Sequence, residues 1–462
     1  MSGSAGSTYE SCLADLTSSN NGTTPSADVL LQCIANTFDD VGSNNNAAID
    51  TFFLIYAASL VFFMQTGFAM ICAGCVRINN VQNTLLKNLL DACGASLGFY
   101  MVGYAFAFGG SFPHDPETSA TTFIGTDNFF LMGVENDSFW LFQFAFCATC
   151  ATIVAGTLAE RCQMSAYLAY SVMLSAFVYP IVVHSIWSPN GFLAARNPDP
   201  LWGVGMIDFA GSAVVHLTGG MTALIATKIL GPRTGRFYDL RGKVLEQPKE
   251  MLGHSLALQC LGVSIFSATM RFSAVNNIRG MHFYHEFVQL LICVLELQLT
   301  YIFYFSVLLR IIYHPLPFYH PLLHKTFILW FGWYGFNVGS TISITEPDNW
   351  QIASNVAINT TLSGAAGCIT TLFLSTIVTE HFTGEYTFNL QYAMNGCLSG
   401  LVSITAGCSV VESWASLIIG AVAGGLYLGC SKLLLKKRID DAVDAIPVHV
   451  SVCAVGKKRD LR

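Results

Sequence analysis

Eight apolar runs without a single Lys, Arg, Asp or Glu dominate this sequence: 51–76, 92–112, 138–159, 163–187, 209–227, 351–379, 389–411 and 413–431. A helix needs roughly 20 such residues to cross a hydrocarbon core of about 30 Å. Backbone polar groups find no water there, so spanning segments must be helices or closed barrels. Unbroken runs of this length, rather than short alternating ones, predict helices. A ninth span is split, because 255–262 is too short and its natural continuation, 326–345, lies 63 residues further on. A tenth begins near Asp440. Only 11% of the 462 residues are charged, against about a quarter in soluble domains. The fold class is therefore an all-α polytopic membrane protein.

The loops set the orientation. Arg77, Lys87, Arg161, Arg233, Arg236, Arg241, Lys243, Lys249, Lys432, Lys436, Lys437 and Arg438 fall in alternate loops, while 113–137 carries acids and no basic residue. Basic loops face the cytoplasm, which puts the polar N-terminal segment 1–48 outside the cell. Cys12 and Cys33 lie in that segment, where an oxidising exterior permits a disulfide within or between chains. No apolar signal-peptide core precedes the first span, so that span is expected to direct membrane insertion. The sequence has no basic nucleic-acid patch or zinc-ligand spacing, and nothing in it calls for a cofactor.

Two histidines stand where charge is costly. His216 lies inside the run 209–227 with Asp208 eight residues before it, and His449 follows Asp441 by the same interval. An ionisable residue in a membrane segment is a functional candidate, and matching positions in two halves suggest a transport pathway. Eight residues of one helix would separate acid and imidazole by about 12 Å. Three further features are ambiguous alone. Phe142 and Phe146 share a helical face, as packing aromatics also do. Trp187 closes a span, as interfacial tryptophans do. The glycines of Phe331–Ser340 permit the close helix contacts common in membranes.

Together, the stretches 156–161, 208–217, 330–337 and 444–449 resemble the ammonium transporter (Amt/Mep/Rh) superfamily, most closely its plant and algal branch. The resemblance runs over 48–262 and 326–449. It implies a homotrimer whose protomers each hold a pore, built as an inverted repeat of two five-helix halves with an eleventh helix following. By the same resemblance Phe146, Trp187, Ser340 and Asp208 form an external ammonium site. Phe146 and Phe336 form a gate, and His216 and His449 form a paired-imidazole pore and proton relay. The implied function is electrogenic ammonium uptake at the plasma membrane, not enzymatic catalysis.

This chain departs from that pattern in two places. Residues 263–325 form an anomalous insertion in the sixth span, and 450–462 form a non-family tail where the tenth span and the missing eleventh helix would continue. Thus 1–48 is the polar N-terminus, 49–262 the first transporter half and 326–449 the truncated second half. Both anomalous segments begin Val-Ser, as a GT-initial intron does when translated, and the first ends at Lys325, whose AAG codon supplies an intron's terminal AG. They are therefore read as translated introns. The competing reading is a genuine insertion in which 287–309 forms another span, which would put Lys432–Arg438 outside, against the basic-loop rule. Its five histidines lack an accompanying ligand pattern, so no metal site is expected. Alternative functions are a Rhesus-type neutral gas channel, an ammonium sensor, an intramembrane metalloenzyme or an inactive truncated product. The enzyme reading lacks a third ligand or nucleophile near the histidines.

Overall fold

The computed structural model describes residues 27–112, 120–239, 241–249, 251 and 320–451. The expected split helix 255–262, most of the insertion 263–325 and most of the tail 450–462 therefore lie outside the described residues.

Helices α1 (Ala27–Cys75), α2 (Ile78–Phe108), α3 (Asp137–Thr157), α4 (Met164–Trp187) and α5 (Ser212–Leu230) make the first half. The second contains α6 (His320–Gly339), α7 (Asn349–Thr383), α8 (Leu390–Ile404), α9 (Ser413–Lys436) and α10 (Ala445–His449). Among the described residues seven helices are long and apolar enough to cross a membrane: α1 to α5, α7 and α9. The protein is thus a helical, multi-span membrane protein. Outward-facing apolar residues such as Leu97, Met173, Ile229, Ile377 and Leu433 suit lipid, while polar groups gather inside.

Three boundaries differ from the sequence expectation. Helix α1 starts at Ala27, well inside segment 1–48, and runs 49 residues. At 1.5 Å per residue this is about 74 Å, more than twice the hydrocarbon thickness, so much of its polar N-terminal half projects beyond the bilayer. Cys33 in that half is disulfide-bonded. Helix α6 begins at His320, so the expected junction after Lys325 falls within a continuous helix. Helix α8 ends at Ile404 rather than near Val411, because the carbonyls of Thr405 and Ala406 accept bonds from Ala210 and Phe209 of the other half.

Small residues set the closest helix contacts. A Cβ at Gly335 would strike Leu60 and Ala57 of α1, and one at Gly339 would meet Ala57 at 2.6 Å and Phe142 at 2.8 Å. The glycine-spaced face of α6 therefore lies on α1 and α3. In the second half Gly424 leaves room for Gly367 and Thr371, and Ser363 donates to the Gly400 carbonyl at 2.7 Å. Such contacts replace the hydrophobic drive that lipid cannot supply.

Candidate functional site

At the centre, rings from five helices form one buried file. Trp187, at the end of α4, meets Phe146 of α3 edge-on, with centroids 5.8 Å apart. Phe146 stacks on Phe336 of α6 at 4.1 Å and 23°. Phe336 lies 5.3 Å from His216 of α5, and His216 stacks on His449 of α10 at 5.0 Å and 18°. Phe146, Phe336 and His216 are each 0% exposed. Beside the file, Phe142 packs on Phe146 at 4.7 Å, as their four-residue spacing predicts. Half-buried Trp187 packs on the Phe146 ring and points its indole N–H at the Asp208 carbonyl, 2.6 Å away, so its face and its donor are both engaged within the protein.

Neither ring nitrogen of His216 has a hydrogen-bond partner among the described residues. Leaving a buried polar group unsatisfied costs about 1–3 kcal/mol, a cost that a polar guest beside the ring would offset. His449 borders a small cavity, lined also by Phe68, Ile71, Thr152, Asn395 and Val443. Thr152 donates to Gln65 at 2.6 Å.

Ser340 sits just past α6, and its hydroxyl donates to the Phe336 carbonyl at 2.8 Å. With its one proton committed, its lone pairs remain to accept a bond. Ser340 is thus tied to the file through Phe336.

Asp208 and His216 are not two turns apart on one helix. Helix α5 begins only at Ser212, after Gly211 turns with φ +99°, a conformation that costs residues bearing a Cβ. The Asp208 carboxylate folds under the helix start, where Oδ1 accepts from Gly211 and Ser212 and Oδ2 from Ala213 and Val214, at 2.8–3.1 Å. The first amides of a helix lack internal partners, and the helix dipole favours negative charge there. Asp208 is 4% exposed as a residue, and its carboxylate spends both oxygens on the backbone. Asp441 repeats the arrangement before α10, accepting from Val443 and Ile446 at 3.2 and 2.7 Å.

Sequence reasoning left several participants unassigned. Trp333 stacks on His216 at 5.2 Å and donates to Thr405 at 3.0 Å; its four-residue distance from Asn337 and three from Phe336 places it on the same face, a signal the glycine pattern obscured. Asp444 receives the Tyr427 hydroxyl at 2.9 Å. At the basic-loop end, Glu160, Arg233 and Asp440 form a buried ion-pair cluster. Burial opposes ionisation of Glu160, but bonds from Arg77 and Asn80 outweigh it and hold the carboxyl below its ordinary range. For Asp440 burial is likewise outweighed, here chiefly by Arg233. Both were invisible as partners because their contacts span scores of residues.

The sequence pattern described as "Ammonium Transporter Family" matches residues 52–277 and 310–457, passing over a stretch inside 263–325. The chain is 36% identical over 413 residues to "Ammonium transporter 1 member 3" of Solanum lycopersicum, covering 87% of this chain and 72% of that protein. It is 34% identical over 403 residues to "Ammonium transporter 3" of Dictyostelium discoideum, covering 87% and 73%. A solved structure named "Sensor Amt Protein" shares the fold with a TM-score of 0.64 and 27% identity, covering 90% of this chain and 82% of that one. With a file of stacked rings between its two halves and a family pattern spanning both, the chain belongs to the ammonium transporter family.

Proposed function

We propose that this protein carries ammonium inward across the plasma membrane, as a homotrimer with its N-terminus outside, by recruiting the cation, deprotonating it and conducting ammonia. The observation that carries the reading is the continuous file Trp187, Phe146, Phe336, His216 and His449. An aromatic face attracts a small cation by about 0.5–2 kcal/mol, more when desolvated. Trp187 and Phe146 supply such faces, Ser340 an acceptor for one N–H, and Asp208 a fixed negative charge nearby. Water gains nothing comparable from the rings.

Phe146 and Phe336 in stacked contact close the way below this site. Burying bare ammonium past them would cost many kcal/mol, whereas neutral ammonia passes cheaply and can hydrogen-bond the unpartnered His216 ring. The proton released near the gate travels separately through His216 and His449, since an imidazole both accepts and donates near neutral pH. One charge then accompanies each ammonia, and transport is electrogenic. The names of the curated relatives support a transport role over an enzymatic one.

Expression in cells lacking their own ammonium uptake tests the proposal. Ammonium evokes an inward current that falls more than tenfold in His216→Ala at equal surface abundance. Current unaffected by that change rules out the relay.

A further inference from the structure

The two pore histidines stand on helices of unequal length. His216 belongs to α5, 19 residues long, but His449 ends α10, which has five. A helix so short cannot repay its own nucleation, so the position of His449 depends on outside supports. Asp441 supplies one by accepting from the amides of Val443, just before the helix, and Ile446, within its first turn. The residue before it supplies another.

Asp440 is 2% exposed, and its carboxylate receives three bonds from Arg233: from the backbone N–H and Nε at 2.8 Å each, and from Nη2 at 2.9 Å. Arg161 grips the Asp440 carbonyl at 2.8 Å and, through its other terminal nitrogen, the Gly231 carbonyl at 2.7 Å. Gly231 and Arg233 directly follow α5. The segment leading into α10 is therefore fastened, at Asp440, to the end of the helix that carries His216. The two helices run side by side, for a Cβ on Gly220 of α5 would come within 3.1 Å of the His449 Cβ.

We propose that Asp440 and Arg233 are positioning residues that set His449 against His216. A buried ion pair adds little net stability after its desolvation cost, and directional registry is its better-attested use. The fork of Arg233 meets the carboxylate with two nitrogens, a geometry a point charge cannot reproduce. Glu160 steadies Arg233 from the far side at 3.5 Å and is itself held by Arg77 and Asn80, which links the α1–α2 and α3–α4 loops to the same fastening. The functional meaning of this registry rests on the transport reading above.

The test uses the full chain, both purified in lipid nanodiscs and expressed in uptake-deficient cells. In Asp440→Asn, amide hydrogen exchange rises at least tenfold across 444–450 while 212–217 and α9 keep wild-type rates. Arg233→Lys falls between, and Asp440→Glu recovers part of the protection. In cells, Asp440→Asn lowers the charge carried per methylammonium taken up at least threefold at unchanged surface abundance. Unchanged exchange in 444–450, or an equal rise throughout the protein, overturns the proposal. So does localised loosening with wild-type charge per molecule. If the wild-type chain moves no ammonium while the exchange change is still confined to α10, the transport reading fails and the fastening stands.

Discussion

The arms that carry His216 and His449 share an eight-residue interval from acid to imidazole, yet they are secured differently. On the first, Asp208 takes four backbone amides, and the helix continues for 19 residues. On the second, Asp441 takes Val443 and Ile446 above a five-residue helix, and the remaining hold comes from Asp440, Arg233 and Arg161. Among the described residues the first arm is capped by its own acid alone, whereas the second adds an ion pair to a distant residue. Two rings in stacked contact are thus held in place by different means.

The harshest way to break this comparison is to remove each cap. Each buried amide left unpaired costs about 1–3 kcal/mol. Asp208→Ala should therefore lose on the order of 4 kcal/mol or more, and Asp441→Ala about half as much. Thermal unfolding of purified protein would measure both; equal losses would contradict the asymmetry.

Acid gives the next largest effect. Glu160 and Asp440 have folded values below their ordinary 4.5 and 3.8. Their stabilisation is present above those ordinary values and is lost as pH falls through the lower folded ones. Loss of a buried partner costs about 3–5 kcal/mol, so as pH falls below those ordinary values and through the lower folded ones, exchange at 444–450 should accelerate before that at 212–217. Simultaneous loosening of both arms would argue against the cluster as the second arm's support.

Steric substitutions sharpen the contrast further. Gly211→Ala meets a φ of +99°, the Val215 side chain at 2.8 Å and the Trp187 ring at 3.1 Å, whereas Gly220→Ala meets no backbone strain but the Val450 side chain at 2.7 Å and His449 Cβ at 3.1 Å. Overpacking costs about 1–3 kcal/mol, and the left-handed backbone adds about 1–2 kcal/mol at Gly211. Unfolding midpoints should fall further for Gly211→Ala, while Gly220→Ala should disturb transport current more per unit of stability lost. The smallest expected change is Thr405→Val, which removes the acceptor of the Trp333 indole for about 1 kcal/mol and leaves the ring stack in place; a larger loss would show that Trp333 anchors His216.

Much of the fold was legible because apolar runs free of charge report membrane spans directly. Seven helices among the described residues meet the length and hydropathy needed to cross, and each overlaps a run read from sequence. Boundaries were less legible. The start of α5 at Ser212 depends on a carboxylate folding back under it, and the end of α8 depends on carbonyls claimed by Phe209 and Ala210. Of the site residues, His216 and His449 stood out because charge in lipid is costly. Phe146, Trp187 and Phe336 were indistinguishable from packing or interfacial aromatics without the family resemblance.

What the amino-acid sequence determined alone was that this chain crosses a membrane many times as helices, since hydrocarbon forbids unpaired backbone and the run lengths match its thickness. It also marked two acid–histidine intervals. Only the tertiary structure decided that rings from five separate helices form one file, that Asp208 caps rather than lines a helix, and that Asp440 answers Arg233 across 207 residues. Hydropathy and helical period are properties of neighbouring residues; ring stacking and a buried ion pair arise only when distant segments are packed against one another.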